Sequence, residues 1–261
     1  MKRILFLLAC SLLVAAGVWA DDGVAKTDNN VFNHLSVGAN VGTNGVGLDL
    51  AVPATNFMAL RVGYNWFPKI KYKTSLNLIN YPTTGGYTFP NEFMVQGQPN
   101  NNTAHALVDV YPFGENGFHI TLGAYFGKQS IVDVHNVNNG ELIDVYAYNK
   151  RTTGQRCGLA LGNYLLEPDA NGNVYADLRV NKLRPYLGLG FGRAVPKNRV
   201  NCQVDLGVQF LGKSEVWVRG DAGDYKVTQS DLNEDSGKLL KKLTKLNVYP
   251  VVNVRIVGRI F

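Results

Sequence analysis

Residues 183–213, LRPYLGLGFGRAVPKNRVNCQVDLGVQFLGK, alternate apolar and polar side chains with a period of two, and nothing else in the chain restricts its fold as much. In the first half Leu183, Pro185, Leu187, Leu189 and Phe191 share one face, opposite Arg184, Tyr186, Gly188, Gly190 and Gly192. In the second half Cys202, Val204, Leu206, Val208 and Phe210 lie opposite Asn201, Gln203, Asp205, Gly207 and Gln209. Pro196-Lys197-Asn198-Arg199 separates the halves as a polar turn. The stretch reads as a β-hairpin with one uninterrupted apolar face. A helix does not fit, because glycine recurs too often and the apolar period is wrong for 3.6 residues per turn.

The same pattern recurs from residue 35 onward. Leu35, Val37, Ala39 and Val41 oppose Ser36, Gly38 and Asn40, and residues 42–45 (GTNG) form a tight turn whose asparagine and glycine tolerate positive φ. Val46, Leu48, Leu50 and Val52 then oppose Gly47, Asp49 and Ala51, and Met58, Leu60, Val62, Tyr64 and Trp66 oppose Ala59, Arg61, Gly63 and Asn65. Ala104, Ala106, Val108 and Val110 oppose His105, Leu107 and Asp109, and Phe118, Ile120, Leu122, Ala124 and Phe126 oppose His119, Thr121, Gly123 and Tyr125. At the end of the chain, Val248, Val252, Val254, Ile256 and Ile260 oppose Asn253, Arg255 and Arg259. Eight amphipathic strands result.

Their connections are short after the second, fourth and sixth strands and long after the third, fifth and seventh, at 68–102, 129–181 and 214–245. Only the short turn after the first strand breaks this alternation. Within the second long connection, 131–134 and 174–180 read as extensions of the flanking strands. Within the third, Leu232, Leu239, Leu240 and Leu243 fit a short amphipathic helix over 231–243, capped by Ser230.

Residues 1–20 carry Lys2 and Arg3, an apolar run and a Val18-Trp19-Ala20 cleavage site, which reads as a secretory signal peptide with 21–33 a polar lead-in. Lys2 and Arg3 leave with it, lowering the net charge from +6 to +4. That charge is scattered rather than gathered into the basic stripe nucleic-acid binding needs. No later stretch approaches the ~20 apolar residues of a membrane helix, so any membrane crossing uses strands. Cys157 and Cys202 fall at opposite ends of the expected barrel, too far apart for a disulfide.

These elements predict an all-β fold over 34–261, an antiparallel eight-stranded transmembrane β-barrel with three long external loops. Each apolar face holds four or five residues, the length of a tilted strand crossing hydrocarbon. No Asp, Glu, Lys or Arg falls on any of them, and one lipid-facing charge at mid-bilayer costs about 2–4 kcal/mol. The rival is a secreted lipocalin-like barrel, apolar inside. It would wear a glycine-rich skin and force rows of Leu, Phe and Trp into an eight-stranded lumen.

The arrangement resembles the small OmpA/OmpX/OmpW class of eight-stranded outer-membrane barrels. RPYLGLGFG is similar to the Pro-Tyr-hydrophobic-Gly-hydrophobic-Gly strand common there, and VYPFGENGFHITLGAYFG and KLNVYPVVNVRIVGRIF resemble segments of bacterial barrels ending in a Tyr-Pro strand and a terminal Phe. The resemblance implies a place in the bacterial outer membrane, contact with outer-membrane lipid and lipopolysaccharide, and a C-terminal strand read by the barrel-assembly machinery. Here the aliphatic face carrying Ile256 and Ile260 runs one residue out of step with Phe261.

Inside such a barrel Asp49, Arg61, Asp109, Asp205 and Arg255 point inward at similar heights, with Arg259 just below and Arg184 near the outer mouth. Confined charge must pair, so these residues predict a belt of Arg–carboxylate hydrogen bonds. The belt serves a structural plug or a gated ion path, the plug being favoured. The inward glycines either make room for the arginines or leave a pocket above them. His105 and Asp109 share the inward face near His119, but no serine stands beside any of the four histidines in the arrangement of the barrel-type lipid A hydrolases. No HExxH, CxxC, P-loop or calcium-loop motif occurs either, so neither enzyme chemistry nor a cofactor is expected. Lys69, Lys71 and Lys73, just outside the third strand, read as contacts to lipid phosphate or as ordinary solvated charge. The expected function is that of an integral outer-membrane barrel with a largely plugged polar lumen, meeting surface or envelope partners through its loops; the alternative is a narrow pore for small solutes.

Overall fold

The structure is a computed structural model that describes residues 32–80, 89–113, 116–154, 156–161, 164–220, 223–227 and 247–260. The expected leader, most of the lead-in, the helix expected over 231–243 and Phe261 lie outside the described residues. Strands are numbered in chain order through the whole molecule. Eight of them, β1 (Ser36–Gly42), β2 (Gly45–Thr55), β3 (Met58–Trp66), β6 (Thr103–Val110), β7 (Phe118–Gly127), β12 (Leu183–Phe191), β13 (Val200–Phe210) and β16 (Val248–Arg259), close an antiparallel barrel. Around the wall they follow chain order, and the last pairs with the first from Ser36↔Arg259 to Gly42↔Asn253. Gly45 takes φ +95° in the β1–β2 turn, a conformation open to glycine at little cost.

The wall has the sidedness read from the sequence. Leu206 is 56% exposed on the outside, whereas Asp205, one position before it, is 3% exposed and faces the axis. Leu48, Val62, Leu122, Leu189 and Ile256 likewise stand outside, and Arg61, Asp109 and Arg255 stand inside. At the outer end of β3, Tyr64 and Trp66 pack edge to face at 5.0 Å.

The three long connections are largely sheet: the strand extensions read at 131–134 and 174–180 are present as part of it, and the remainder corrects the reading of these connections as loops. Their described residues form a second antiparallel sheet of eight strands, in the order β10-β9-β4-β5-β8-β11-β14-β15. These are β4 (Tyr72–Ile79), β5 (Glu92–Pro99), β8 (Ser130–Asn136), β9 (Gly158–Leu161), β10 (Tyr164–Leu166), β11 (Tyr175–Arg179), β14 (Glu215–Gly220) and β15 (Gly223–Lys226). Strands β4, β5, β8, β11 and β14 prolong β3, β6, β7, β12 and β13 in the same neighbour order, so the hairpins run through both layers. The edges of this cap approach each other, with the Tyr164 and Tyr225 rings 5.8 Å apart. One helix, α1 (Ile143–Arg151), carries Asp144 in its first turn and Lys150 and Arg151 in its last, both favourable to the helix dipole.

The largest apolar cluster among the described residues sits in this cap, and a smaller one of Leu107, Tyr125, Tyr186 and Val251 lies inside the barrel. Leu78, Phe93, Val95, Leu142, Val145, Leu159, Leu166, Leu178, Val216 and Val218 pack together in the cap. The inside and outside of the wall therefore exchange roles along the same hairpins. On β13 the apolar residues Leu206 and Phe210 face out; on β14, a few residues further, Val216 and Val218 face in while Trp217 and Arg219 face out. The exchange happens in the crossings at 67–71, 100–102, 128–129, 180–182 and 211–214. Alternation with the apolar face outward suits hydrocarbon, and with the apolar face inward suits water.

Candidate functional site: the ion network in the lumen

Inward positions on seven of the barrel strands carry polar or charged side chains at one height, and closing the wall brings them together. Arg61 on β3 donates from Nη1 to Asp205 Oδ2 on β13 at 2.8 Å and from Nη2 to Asp109 Oδ1 on β6 at 3.0 Å. Thr121 on β7 donates to Asp109 Oδ1 at 2.7 Å. Arg255 on β16 donates from Nε to Asp49 Oδ1 on β2 at 2.6 Å, its Nη2 also touches that oxygen, and Asn40 on β1 donates to Asp49 Oδ2 at 3.2 Å. Gln203 joins the two halves: its Oε1 accepts from Arg255 Nη1 at 3.0 Å and its Nε2 donates to Asp205 Oδ1 at 3.1 Å. Each of the five charged residues is at most 3% exposed, a burial that ions tolerate only when paired in this way.

His119 belongs to the belt as well. Its Nδ1 faces the Gly117 carbonyl at 3.0 Å, and its Nε2 faces Asp205 Oδ1 at 2.8 Å. Nε2 also lies 3.0 Å from Gln203 Nε2, an amide donor. Two guanidiniums and the His119 ring then stand against three carboxylates. His119, Thr121 and Gln203 escaped the sequence reading of the belt, although their inward parity and height on β7 and β13 were legible.

Arg259 stays outside the network: it is half-buried at the short-turn end opposite Ser36 and forms no ion pair among the described residues. Arg184 stands at the other end, 1% exposed, donating to Asn101 Oδ1 at 2.6 Å and to the carbonyls of Lys128 at 2.7 Å and Asn181 at 3.1 Å. It fastens three of the crossings from within. Lys69 and Lys71 are exposed in the first crossing, and Lys73 is exposed at the start of β4.

The lumen glycines lie hard against these side chains. A Cβ on Gly38 would fall 2.3 Å from Arg255 Nε, and one on Gly190 would fall 2.4 Å from His119 Nε2. Of the two roles open to them in the sequence, this geometry fits making room for long polar side chains. Between the belt and Arg184 the lumen is mixed: Leu107, Tyr125, Tyr186 and Val251 pack as a buried apolar cluster, and Asn65, Thr103, His105 and Gln209 are buried, each with one side-chain atom lacking a protein partner. Such atoms are commonly met by ordered water.

At the short-turn end the segment 192–199, of which 196–199 reads from the sequence as a plain polar turn, folds under the wall. Ala194 is fully buried against Ala51, Ala59 and Tyr111. Its carbonyl accepts from Ser36 Oγ at 2.7 Å and from Arg255 Nη1 at 3.1 Å, and its N–H donates to Tyr111 Oη at 2.8 Å. Arg193 covers the Tyr111 ring at 5.1 Å. A turn's main-chain contacts leave no periodic signal, so the sequence did not announce this floor. Cys157 and Cys202 are both free.

No protein-family model and no curated protein matches the chain. Among solved structures, the chain is similar to CarO2 of Acinetobacter baumannii, at 17% identity and TM-score 0.46, over 88% of this chain and 100% of that one. It is similar also to CarO of Acinetobacter baumannii, at 18% identity and TM-score 0.47, over 88% of this chain and 99% of that one.

Proposed function

We propose that this protein is an integral barrel of the bacterial outer membrane whose lumen is held shut by its ion belt and whose cap is its working surface. The observation that carries the reading is the exchange of sides between barrel and cap. A wall that is apolar outside and ionic inside belongs in hydrocarbon; the same hairpins, apolar inside and polar outside a few residues later, belong in water. The closed state rests on three layers: Ala194 and Tyr111 at one end, the Arg61–Asp205 and Arg255–Asp49 pairs in the middle, and Arg184 at the other. The cap presents polar rows, among them His135, Tyr175 and Arg219 in register on β8, β11 and β14, to meet surface or envelope partners. Lys69, Lys71 and Lys73 face the lipid headgroups, and β16 is the strand offered to the barrel-assembly machinery.

The reading is tested by folding the full chain into lipid vesicles and into planar bilayers. The expected results are a protease-resistant barrel that migrates differently on gels with and without heating, and no resolved conductance step. A chain that folds only in the aqueous phase, or steady single-channel conductance in the unaltered protein, would overturn the membrane-spanning and closed-lumen parts respectively.

A further inference from the structure

The five described crossings between barrel and cap carry Lys69, Lys71, Lys128, Lys182 and Lys213, all exposed, and not one Asp or Glu. They form a basic collar at the level where the wall turns from apolar to polar. Where β11 and β14 rise from it, the collar opens into a groove of about 780 Å³ lined by Arg179, Asn181, Phe210, Lys213, Trp217 and Asn247, among others. Phe210 is the last outward apolar residue of β13 and is 43% exposed, so the lower rim of the groove is the lipid-facing wall. Its upper rim is the polar face of the cap.

The charges around the groove are unequal in their engagement. Arg179 lies over the Trp217 ring at 4.7 Å and is bound to Asp177 and, at 2.6 Å, to Asp224. Glu215 is bound to Lys226 and accepts from Trp217 Nε1 at 3.1 Å. Lys213, in contrast, forms no ion pair among the described residues, and Lys128 and Lys182 adjoin the lining residues Gln129 and Asn181. The groove therefore offers a lysine that forms no ion pair among the described residues and acts on the lining Glu215 only through space, three neutral amides (Gln129, Asn181 and Asn247) and an apolar lip.

The geometry points to this groove as a binding site for the phosphorylated headgroup of an outer-leaflet glycolipid. The phosphate meets Lys213, with Lys128 and Lys182 beside it; the amides meet sugar hydroxyls; an acyl chain runs down past Phe210 along the wall. A free phosphate would use the lysine and leave the amides and the lip idle. The inference rests on the membrane-spanning reading above, and deepens it from general lipid contact to one site.

The test uses the full chain folded in detergent micelles, offered lipid A either with its phosphates or after enzymatic dephosphorylation, with retained lipid counted by native mass spectrometry. The expected result is retention of the phosphorylated form at least tenfold above the dephosphorylated one. That preference is lost in Lys213→Gln and reduced in Trp217→Ala, and it persists in Lys197→Gln, which removes the same charge at the opposite end of the barrel. Gel mobility before and after heating verifies that each variant is folded. Equal retention of both lipids, or full retention by folded Lys213→Gln, would overturn the site while leaving the spanning barrel intact. Occupation by inorganic phosphate without glycolipid retention would overturn the lipid as occupant. Failure of the unaltered chain to fold in micelles or vesicles would strike the membrane reading itself.

Discussion

Arg61 and Asp205 stand on opposite walls of the barrel, four strands apart whichever way one counts, and meet across its axis at 2.8 Å. With Asp109 at 3.0 Å on the same guanidinium, they act as a strut that ties β3 to β13 and β6. A strut made of ions has a particular failure mode: removing one partner leaves the other's charge buried.

Arg61→Leu therefore leaves Asp109 and Asp205 without their common cation. The expected loss is about 3–5 kcal/mol of stability, read as a lower urea midpoint for unfolding from vesicles. Replacing all three with apolar residues of similar volume is expected to restore most of that loss, because no charge is then stranded. If Arg61→Leu unfolds at the unaltered midpoint, the strut contributes nothing.

Tyr111→Phe removes the oxygen that accepts the Ala194 N–H. A buried donor left without a partner costs about 1–3 kcal/mol. The same change frees the 192–199 segment from its anchor, so protease cleavage from the short-turn side of protein-bearing vesicles is expected to speed up at that segment alone. Unchanged cleavage there would show that Ser36 and Arg255 hold the segment without Tyr111.

Gly63→Ala places a Cβ 2.5 Å from both Asp49 Cβ and the Leu48 carbonyl oxygen. One of these neighbours is backbone, so the wall itself must shift, at a cost of about 1–3 kcal/mol. The outward neighbour supplies the control, since Val62→Ala shortens a lipid-facing side chain and meets no clash. The folded fraction in vesicles is expected to fall for Gly63→Ala and to change little for Val62→Ala.

In the cap, acid should act at one edge. Hydrogen bonds from Lys226 hold the Glu215 carboxyl below its usual range, and hydrogen bonds from Arg179 and Arg219 do the same for Asp224. A carboxylate with a lowered pKa stabilises the fold above its ordinary value and loses that contribution as the pH falls through the lowered one. Amide protection in β14 and β15, taken relative to the intrinsic exchange rate at each pH, is thus expected to be high at neutral pH and to fall below about pH 4, with β4 and β5 unaffected. Protection that falls equally in all four strands would point to general acid unfolding instead.

The barrel was legible because its two rules are local. Apolar side chains recur every second residue, and each charge on those strands falls at the other parity, so Leu206 and Asp205 declare their sides without reference to anything distant. The belt was legible in membership for the same reason, since Asp49, Arg61, Asp109, Asp205 and Arg255 share parity and height. Its pairing was not, because which cation meets which carboxylate depends on wall closure. That closure sets Arg61 opposite Asp205 and leaves Arg259 near the rim without an ion pair among the described residues. The cap stayed hidden for a different reason. Its strands are short, as in Tyr164–Leu166, and their apolar parity is reversed relative to the barrel strands they prolong. Residues such as Val216 and Val218 consequently read as stray hydrophobics in a loop rather than as the inner face of a sheet. Helix α1 was missed because Val145 is its one buried side chain, which leaves the nine residues without an apolar period.

The reversal of parity also limits how this chain can vary. One residue added to or lost from a crossing such as 211–214 would turn the whole of the following strand over, setting Val216 and Val218 against water or Leu206 and Phe210 against the ion belt. The crossings therefore have a fixed length, whereas the tips of the cap hairpins, far from either sheet's register, can lengthen and diversify. Variation among relatives should collect at those tips and stop abruptly at the lysine collar.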